Sequence, residues 1–233
     1  MKIALLGYGK MGQIIERIAT ERGHEIVLKK DEFNTYEGLS NADVAIEFSI
    51  PKAAVSNISN CFLANVPVIS GTTGWLEHYE EMVELCANKK GAFLSSSNFS
   101  LGVNIFFELN TYLAKMMSKF DTYKVEMEEI HHIQKLDAPS GTAISLAKGI
   151  IENTDYTAWT LENPKEDEIH IEAKRIDSIP GTHTVNYKSA VDAIEIKHTA
   201  HNREGFALGA VIAAEWIIGK QGVFTMKDVL ELN

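Results

Sequence analysis

Cysteine is almost missing from this sequence: Cys61 and Cys86 are the only two in 233 residues, each inside an apolar, helix-like stretch. That excludes a disulfide scaffold and offers no zinc-ligand spacing. Both read as reduced core residues of a cytoplasmic protein, with no metal site expected. Long apolar runs are missing too. No stretch approaches the roughly 18 residues of a membrane span, and Met1 to Leu6 is too short for a signal peptide. Basic excess is also lacking. A net charge of −10 gives no positive stripe for nucleic acid, although a local group of Lys and His can still attract a small anion. Neither an internal repeat nor a low-complexity tract occurs. What remains is 45% apolar and 23% charged, an ordinary soluble chain long enough for one large or two modest domains.

The first thirty-odd positions carry the clearest local pattern. Lys2 to Leu6 reads as a short buried strand, followed by Gly7-Tyr8-Gly9-Lys10-Met11-Gly12 and a helical stripe of Met11, Ile14, Ile15, Ile18 and Ala19. A second strand, Glu25 to Lys29, comes next. A G-x-G-x-x-G between strand and helix is the context of a dinucleotide site, with Gly7 for the tight turn, Gly9 for approach of a pyrophosphate and Gly12 for helix–strand packing. The second strand ends at Lys29-Lys30-Asp31. An acidic residue there favours the ribose of NAD and a lysine the 2′-phosphate of NADP, so Lys30 and Asp31 leave NADH and NADPH both open.

Strands and helices keep alternating to about residue 95, with strands at Asp43–Phe48, Val66–Ser70 and Ala92–Ser95 and helices from Pro51 and from Trp75 to Lys89. The expected fold is α/β, a Rossmann-type doubly wound parallel sheet whose ligands lie off the carboxyl ends of the strands. Gly71-Thr72-Thr73-Gly74 and Ser96-Ser97-Asn98-Phe99-Ser100 stand at such ends. Within them Gly71, Thr72, Thr73, Ser96, Ser97, Asn98 and Phe99 join Gly7, Tyr8, Gly9, Lys10, Met11 and Gly12 as candidate cofactor-binding residues.

Beyond Ser100 the pattern changes. A long helix, Leu101 to Ser118, leads to the strand Tyr123–Ile130, and a helix from Gly141 to Ile151 follows. A polar connection runs from Tyr156 to Glu168. Three strands with no helix between them, Glu168–Arg175, Thr182–Ser189 and Ala193–Ala200, predict a second α+β domain on an open mixed sheet. Its exposed face predicts oligomerisation. Phe206 to Ile218 reads as an apolar helix and Phe224 to Leu232 as an amphipathic tail. The boundaries expected are 1–100 for dinucleotide binding, completed by about 204–233, and 101–203 for substrate binding and oligomerisation.

The most chemical stretch lies between these patterns. His131, His132 and Lys135 fall within five positions, and Pro139-Ser140-Gly141-Thr142 then opens a helix. Ser140 or Thr142 is placed to cap it, and such a helix start attracts a carboxylate or phosphate. From these residues alone, a solvated basic loop before an ordinary helix fits equally well.

Taken together, these motifs resemble the dihydrodipicolinate reductase family. The resemblance runs nearly end to end: Gly7-x-Gly9-x-x-Gly12, Gly71-Thr72-Thr73-Gly74, Asn98-Phe99-Ser100 with Gly102-Val103-Asn104, and His131-His132-x-x-Lys135-x-Asp137-Ala138-Pro139-Ser140-Gly141-Thr142. Ile196-x-His198, Arg203 and the closing Gly222-x-Phe224-x-Met226-x-Asp228 continue it. It implies a homotetramer whose Rossmann domain is completed by the C-terminal helix. The activity implied is transfer of hydride from NADH or NADPH to a cyclic imine dicarboxylate, taking 4-hydroxy-tetrahydrodipicolinate to tetrahydrodipicolinate with loss of water in diaminopimelate and lysine biosynthesis.

The resemblance also assigns roles. Lys135 is the proton donor and His131 an acid/base, a task suited to an imidazole. His132, Ser140, Gly141 and Thr142 bind the substrate, and Asp137 and Pro139 form the turn. His131 as a loop-holding residue, with water supplying the proton, remains a second reading. The chain departs from the family pattern between Asp31 and Asp43, at Ser96-Ser97 and around Pro180, which touches adenine-side contacts and oligomer packing. A semialdehyde dehydrogenase would need a catalytic cysteine in a loop, and a coenzyme-sensing subunit would have no use for proton donors.

Overall fold

The computed structural model describes residues 1–232. In chain order the elements are β1 (Lys2–Leu6), α1 (Lys10–Glu21), β2 (Glu25–Lys30), β3 (Val44–Glu47), α2 (Pro51–Leu63), β4 (Val68–Ser70), α3 (Tyr79–Asn88), β5 (Ala92–Ser95) and α4 (Leu101–Met117). There follow β6 (Lys124–His131), α5 (Gly141–Ile151), β7 (Ala158–Thr160), β8 (Glu168–Arg175), β9 (Gly181–Lys188), β10 (Ala193–Ala200), α6 (Glu204–Ile217), β11 (Gly222–Phe224) and α7 (Met226–Leu230). Contacts divide the chain into two units, Met1–Leu101 with the segment from Glu204 onward, and Gly102–Arg203.

Six parallel strands in the order β11-β5-β4-β3-β1-β2 form the sheet of the first unit. Successive side chains of a strand point to opposite faces, and here both faces are covered. Ile3 and Leu5 enter the core shared with α1 and α6, whereas Ala4 and Leu6 enter the one shared with α2 and α3. Cys61 and Cys86 are buried free thiols in that second core, as their apolar surroundings predict. α6 lies almost directly on the chain: a Cβ at Gly209 would stand 1.7 Å from the Phe99 carbonyl oxygen. The doubly wound α/β class is therefore correct, but one strand was not foreseen. The tail expected from Phe224 begins instead with β11, which pairs with β5. Three residues are too few to carry a period that distinguishes strand from loop.

The second unit is a mixed sheet in the order β10-β9-β6-β8-β7. β6 and β8 run parallel, as do β7 and β8, while β9 is antiparallel to both β6 and β10. A parallel pair needs a crossover, and α5 supplies the one between β6 and β8. Val125, Met127, Ile169, Ile171, Val185 and Tyr187 form one face and pack against α4 and α5. The opposite face is charged, with Lys174 pairing with Glu128 and, at 3.0 Å, with Glu172. The stretch expected as a polar connection contains β7, another strand of three residues.

Candidate active site

In the first unit the loops at the carboxyl ends of β1, β3, β4 and β5 bring most of the expected cofactor positions into one unit. Gly7 has φ +106°, and a Cβ there would lie 2.0 Å from the Phe48 carbonyl oxygen, so only glycine fits. At Gly12 a Cβ would stand 2.3 Å from the Gly7 oxygen, which is the close helix–strand approach. Gly9 differs: a Cβ there would meet nothing within 4 Å. Its position as N-cap of α1, with no side-chain cap and no acidic residue in the first turn, leaves the amides at Lys10, Met11 and Gly12 with a partial positive charge suited to a pyrophosphate.

Several predicted side chains also make local contacts of their own. The Tyr8 hydroxyl donates to Glu16, whose carboxylate also lies 2.5 Å from Lys29. Lys30 Nζ donates to the carbonyls of Asp31 (2.6 Å) and Asn34 (2.8 Å), while Asp31 accepts from Phe33 N. Ser96 Oγ and the Asn98 carbonyl close a turn at 2.8 Å, and the Asn98 side chain accepts from Ser100 N. Phe99 is a core side chain tilted against the ring of Phe48, with ring centres 5.5 Å apart. Ser97 and Thr73 are exposed, on the loops after β5 and β4.

Glu47 was not foreseen. Fully buried at the end of β3, it accepts from Ser70 Oγ (2.7 Å), Thr72 Oγ1 (2.9 Å), Ser49 N (3.2 Å) and the Ser49 hydroxyl. Asn57 Nδ2 is 3.4 Å away. Thr72 Oγ1 in turn accepts from Ser49 N at 2.8 Å. One carboxyl group thus ties the loop after β3 to the loop after β4. Phe48 was also missed; a Cβ on Gly71 would collide with its ring at 2.2 Å, so Gly71 is required by Phe48.

In the second unit β6 carries Glu129 and His131 on the same side, two residues apart, and ends where the motif loop begins. Glu129 is fully buried. Both its oxygens accept from Ser140 N (3.1 and 3.0 Å), Arg175 donates at 3.1 Å, and His131 Nδ1 lies 3.3 Å away. Burial by itself would raise its pKa, but the contacts with His131, Ser140 and Arg175 outweigh it and bring the value down to about 2. His183, from β9, stands edge-on to His131 with ring centres 5.0 Å apart and meets Ser140 Oγ at 3.1 Å. Burial, reinforced by His131, pushes its pKa down to about 3, so its ring is neutral near pH 7.

Ser140 caps α5 by accepting from Ala143 N at 3.2 Å, as the helix-start pattern predicts. Its N–H and hydroxyl are thereby committed to Glu129, Ala143 and His183, so its part is to shape the helix start. Gly141 sits where a Cβ would meet nothing within 4 Å, and Thr142 follows it into the first turn. Lys135 Nζ contacts both oxygens of Asp137 at 2.8 Å, so Asp137, expected only as a turn residue, is the ion-pair partner of the lysine. Arg175 fastens this loop, donating to the carbonyls of Lys135 (3.2 Å) and Asp137 (2.6 Å). His132 follows His131 out of β6 and is half-buried. Glu129, His131 and His183 also have ligand atoms within 4.8 Å of one another. A cation among them would face the Arg175 guanidinium and compete for oxygens already held by Ser140, so the group reads as a hydrogen-bonded network.

Arg175, His183 and Glu129 carry no local motif, and only strand pairing brings them to the loop. The arrangement offers an anion-attracting helix start, an ammonium held by a carboxylate, and an imidazole beside a buried carboxylate.

Comparison with known proteins agrees with the motifs. Residues 1–99 match the family model described as dihydrodipicolinate reductase, N-terminus, and residues 102–230 the one described as dihydrodipicolinate reductase, C-terminus. The 4-hydroxy-tetrahydrodipicolinate reductase of Christiangramia forsetii is 57% identical over 233 residues, covering 99% of this chain and 98% of that protein. The enzyme of the same name from Thermosipho africanus is 36% identical, again over 99% of this chain and 98% of its own length. Among solved structures, the dipicolinate-bound dihydrodipicolinate reductase from Paenisporosarcina sp. TG-14 shares the fold, with a TM-score of 0.75, 22% identity and 97% of each chain covered. With both halves matched and more than half of all positions shared with a full-length relative, this chain belongs to the dihydrodipicolinate reductase family.

Proposed function

We infer that this chain reduces 4-hydroxy-tetrahydrodipicolinate to tetrahydrodipicolinate in diaminopimelate and lysine biosynthesis, consuming one NAD(P)H and one proton and releasing water. The observation that carries the reading is the 57% identity, across the whole chain, to a reductase named for that reaction.

The substrate's hydroxyl and a hydrogen from the adjacent ring carbon leave as water, which creates a conjugated C=C–C=N system, and a reduced nicotinamide, when bound, would supply hydride to the carbon that carried the hydroxyl. In this reading the start of α1, from Gly9 to Gly12, holds its pyrophosphate, and the loops Gly71–Thr73 and Ser96–Phe99 bound the rest of the site, chiefly through backbone. That fits the open Gly9 and the uncapped helix end. The anionic substrate is held at the start of α5 by Gly141, Thr142 and His132, with Ser140 shaping the turn. Negative charge then develops on the substrate ring, and Lys135 delivers the proton. Asp137 keeps that ammonium aimed until a substrate carboxylate competes for it. His131, oriented by Glu129, is the second acid/base of the site.

Both coenzymes are accepted in this reading, because Lys30 and Asp31 put a cation and a carboxyl group side by side at the end of β2. The assembly is a homotetramer working in the cytoplasm. Supporting it, no helix in unit two covers the charged sheet face, and edge strand β10 is largely exposed. No helix among the described residues is long and apolar enough to cross a membrane.

The test is coenzyme oxidation with substrate freshly made from pyruvate and aspartate semialdehyde, with KM measured for NADH and for NADPH. Consumption of neither coenzyme overturns the activity, and a strong preference overturns dual use. Sedimentation equilibrium checks the tetramer.

A further inference from the structure

Two large apolar side chains of the first unit lie outside both of its cores: Phe33 is 86% exposed and Ile50 61%. A single exposed apolar residue is ordinary on any protein surface. These two are not scattered. They stand on the loops after β2 and β3, the strands on either side of β1. The ends of all three strands meet at Gly7, whose N–H donates to the Lys30 carbonyl at 2.9 Å and where a Cβ would strike the Phe48 carbonyl.

The loop that carries Phe33 is held in place by its neighbours. Asp31 Oδ1 accepts from Phe33 N (2.8 Å), Asn34 Oδ1 accepts from Asp31 N (3.0 Å), and Asn34 Nδ2 donates to the Lys29 carbonyl (2.6 Å). The Lys30 ammonium lies over the Tyr36 ring, 5.0 Å from its centre, and the Tyr36 hydroxyl donates to Asn57 of α2 at 2.8 Å. Ile50 is the N-cap of that same helix. The two loops are thus fastened together, yet the Phe33 ring is left to solvent.

A dinucleotide with its pyrophosphate at the start of α1 places its adenosine ribose at the end of β2, beside Asp31, and its base beyond. Neighbouring strands lie about 4.8 Å apart, so the ends of β2 and β3 are about 10 Å apart, room for one flat ring between two side chains. An aromatic ring on one side suits a base, because stacking uses its face and needs no hydrogen bond.

We propose that Phe33 and Ile50 clamp the adenine ring of the coenzyme from its two sides. The inference rests on the coenzyme site proposed above and names the residues that grip the half of the coenzyme remote from the chemistry. Adenine is common to NADH and NADPH, so the clamp strengthens binding of both.

The test is calorimetry on the full-length protein with ADP-ribose, which carries the adenine and pyrophosphate but no nicotinamide, and with NADH. Phe33→Ala should weaken ADP-ribose about tenfold and Ile50→Ala about threefold, and Phe33→Trp should hold it within about twofold of wild type. An unchanged Tm in each variant separates lost contact from lost folding. Equal ADP-ribose Kd in wild type and Phe33→Ala, or a Trp variant as weak as the Ala variant, overturns the clamp and leaves the coenzyme site standing. Wild type that binds NADH but not ADP-ribose also overturns the clamp alone. Wild type that binds neither overturns the coenzyme site with it.

Discussion

His131 Nδ1 lies 3.3 Å from the Glu129 carboxylate, and both groups are buried. A buried carboxylate in that position restrains the imidazole by charge and packing. Glu129 also grips the start of α5 through Ser140 N and the motif loop through Arg175. Glu129→Gln should therefore lower kcat by about 100-fold with coenzyme binding unchanged, as expected for loss of alignment. Wild-type kcat in a folded Gln variant would remove the role given to this pair.

Lys135 and Asp137 make a second testable pair. Lys135→Ala is expected to lower kcat by about 10²–10⁴-fold, the usual range for loss of a positioned proton donor, with little change in KM for NADH. Asp137→Asn leaves the ammonium in place and should cost less. The two variants assayed side by side decide the matter: an Asn variant as damaged as the Ala variant contradicts the division of roles.

Glu47 holds two loops of the dinucleotide unit with donors from Ser49, Ser70 and Thr72. Glu47→Gln keeps the volume but sets an amide among those donors. A loss of about 1–3 kcal/mol in urea unfolding is expected, together with a higher KM for coenzyme and an unchanged KM for substrate. A shift in substrate KM alone would contradict the assignment.

Stability should fall on acidification, for two reasons of the same sign. His183, at about 3 when folded, is well below its unfolded value, so its contribution is complete above about pH 6.5 and is lost as pH falls toward 3. Glu129, at about 2 when folded, contributes above its unfolded value near 4.5 and loses that contribution as pH falls through 2. The slope per group does not exceed ~1.4 kcal/mol per pH unit. Thermal unfolding between pH 7 and pH 4 should show a falling Tm, and His183→Asn should flatten the upper part of the curve. A Tm that rises on acidification would contradict both assignments.

Much of the first unit was legible because its signals are local. A glycine at positive φ, a strand buried on both faces and a helix stripe are each set by residues within a few positions of one another. The short strands β7 and β11 were not legible, since three residues show no period. In the motif, Ser140 could be recognised as a cap from its neighbours. That Asp137 would hold Lys135 could not, because the turn pattern says nothing about where either side chain points.

The sequence by itself determined the class of each element, the glycines that only glycine can be, and a family motif dense in donors and bases. Tertiary structure alone decided which distant groups surround that motif. Glu129, Arg175 and His183 come from three strands, and Asn57 on α2 and Ser70 and Thr72 at the end of β4 reach Glu47 from elsewhere in the chain. The reason is physical: periodicity records which face a residue turns to the core. A buried carboxyl group is stable only with partners that chain folding brings from far along the sequence.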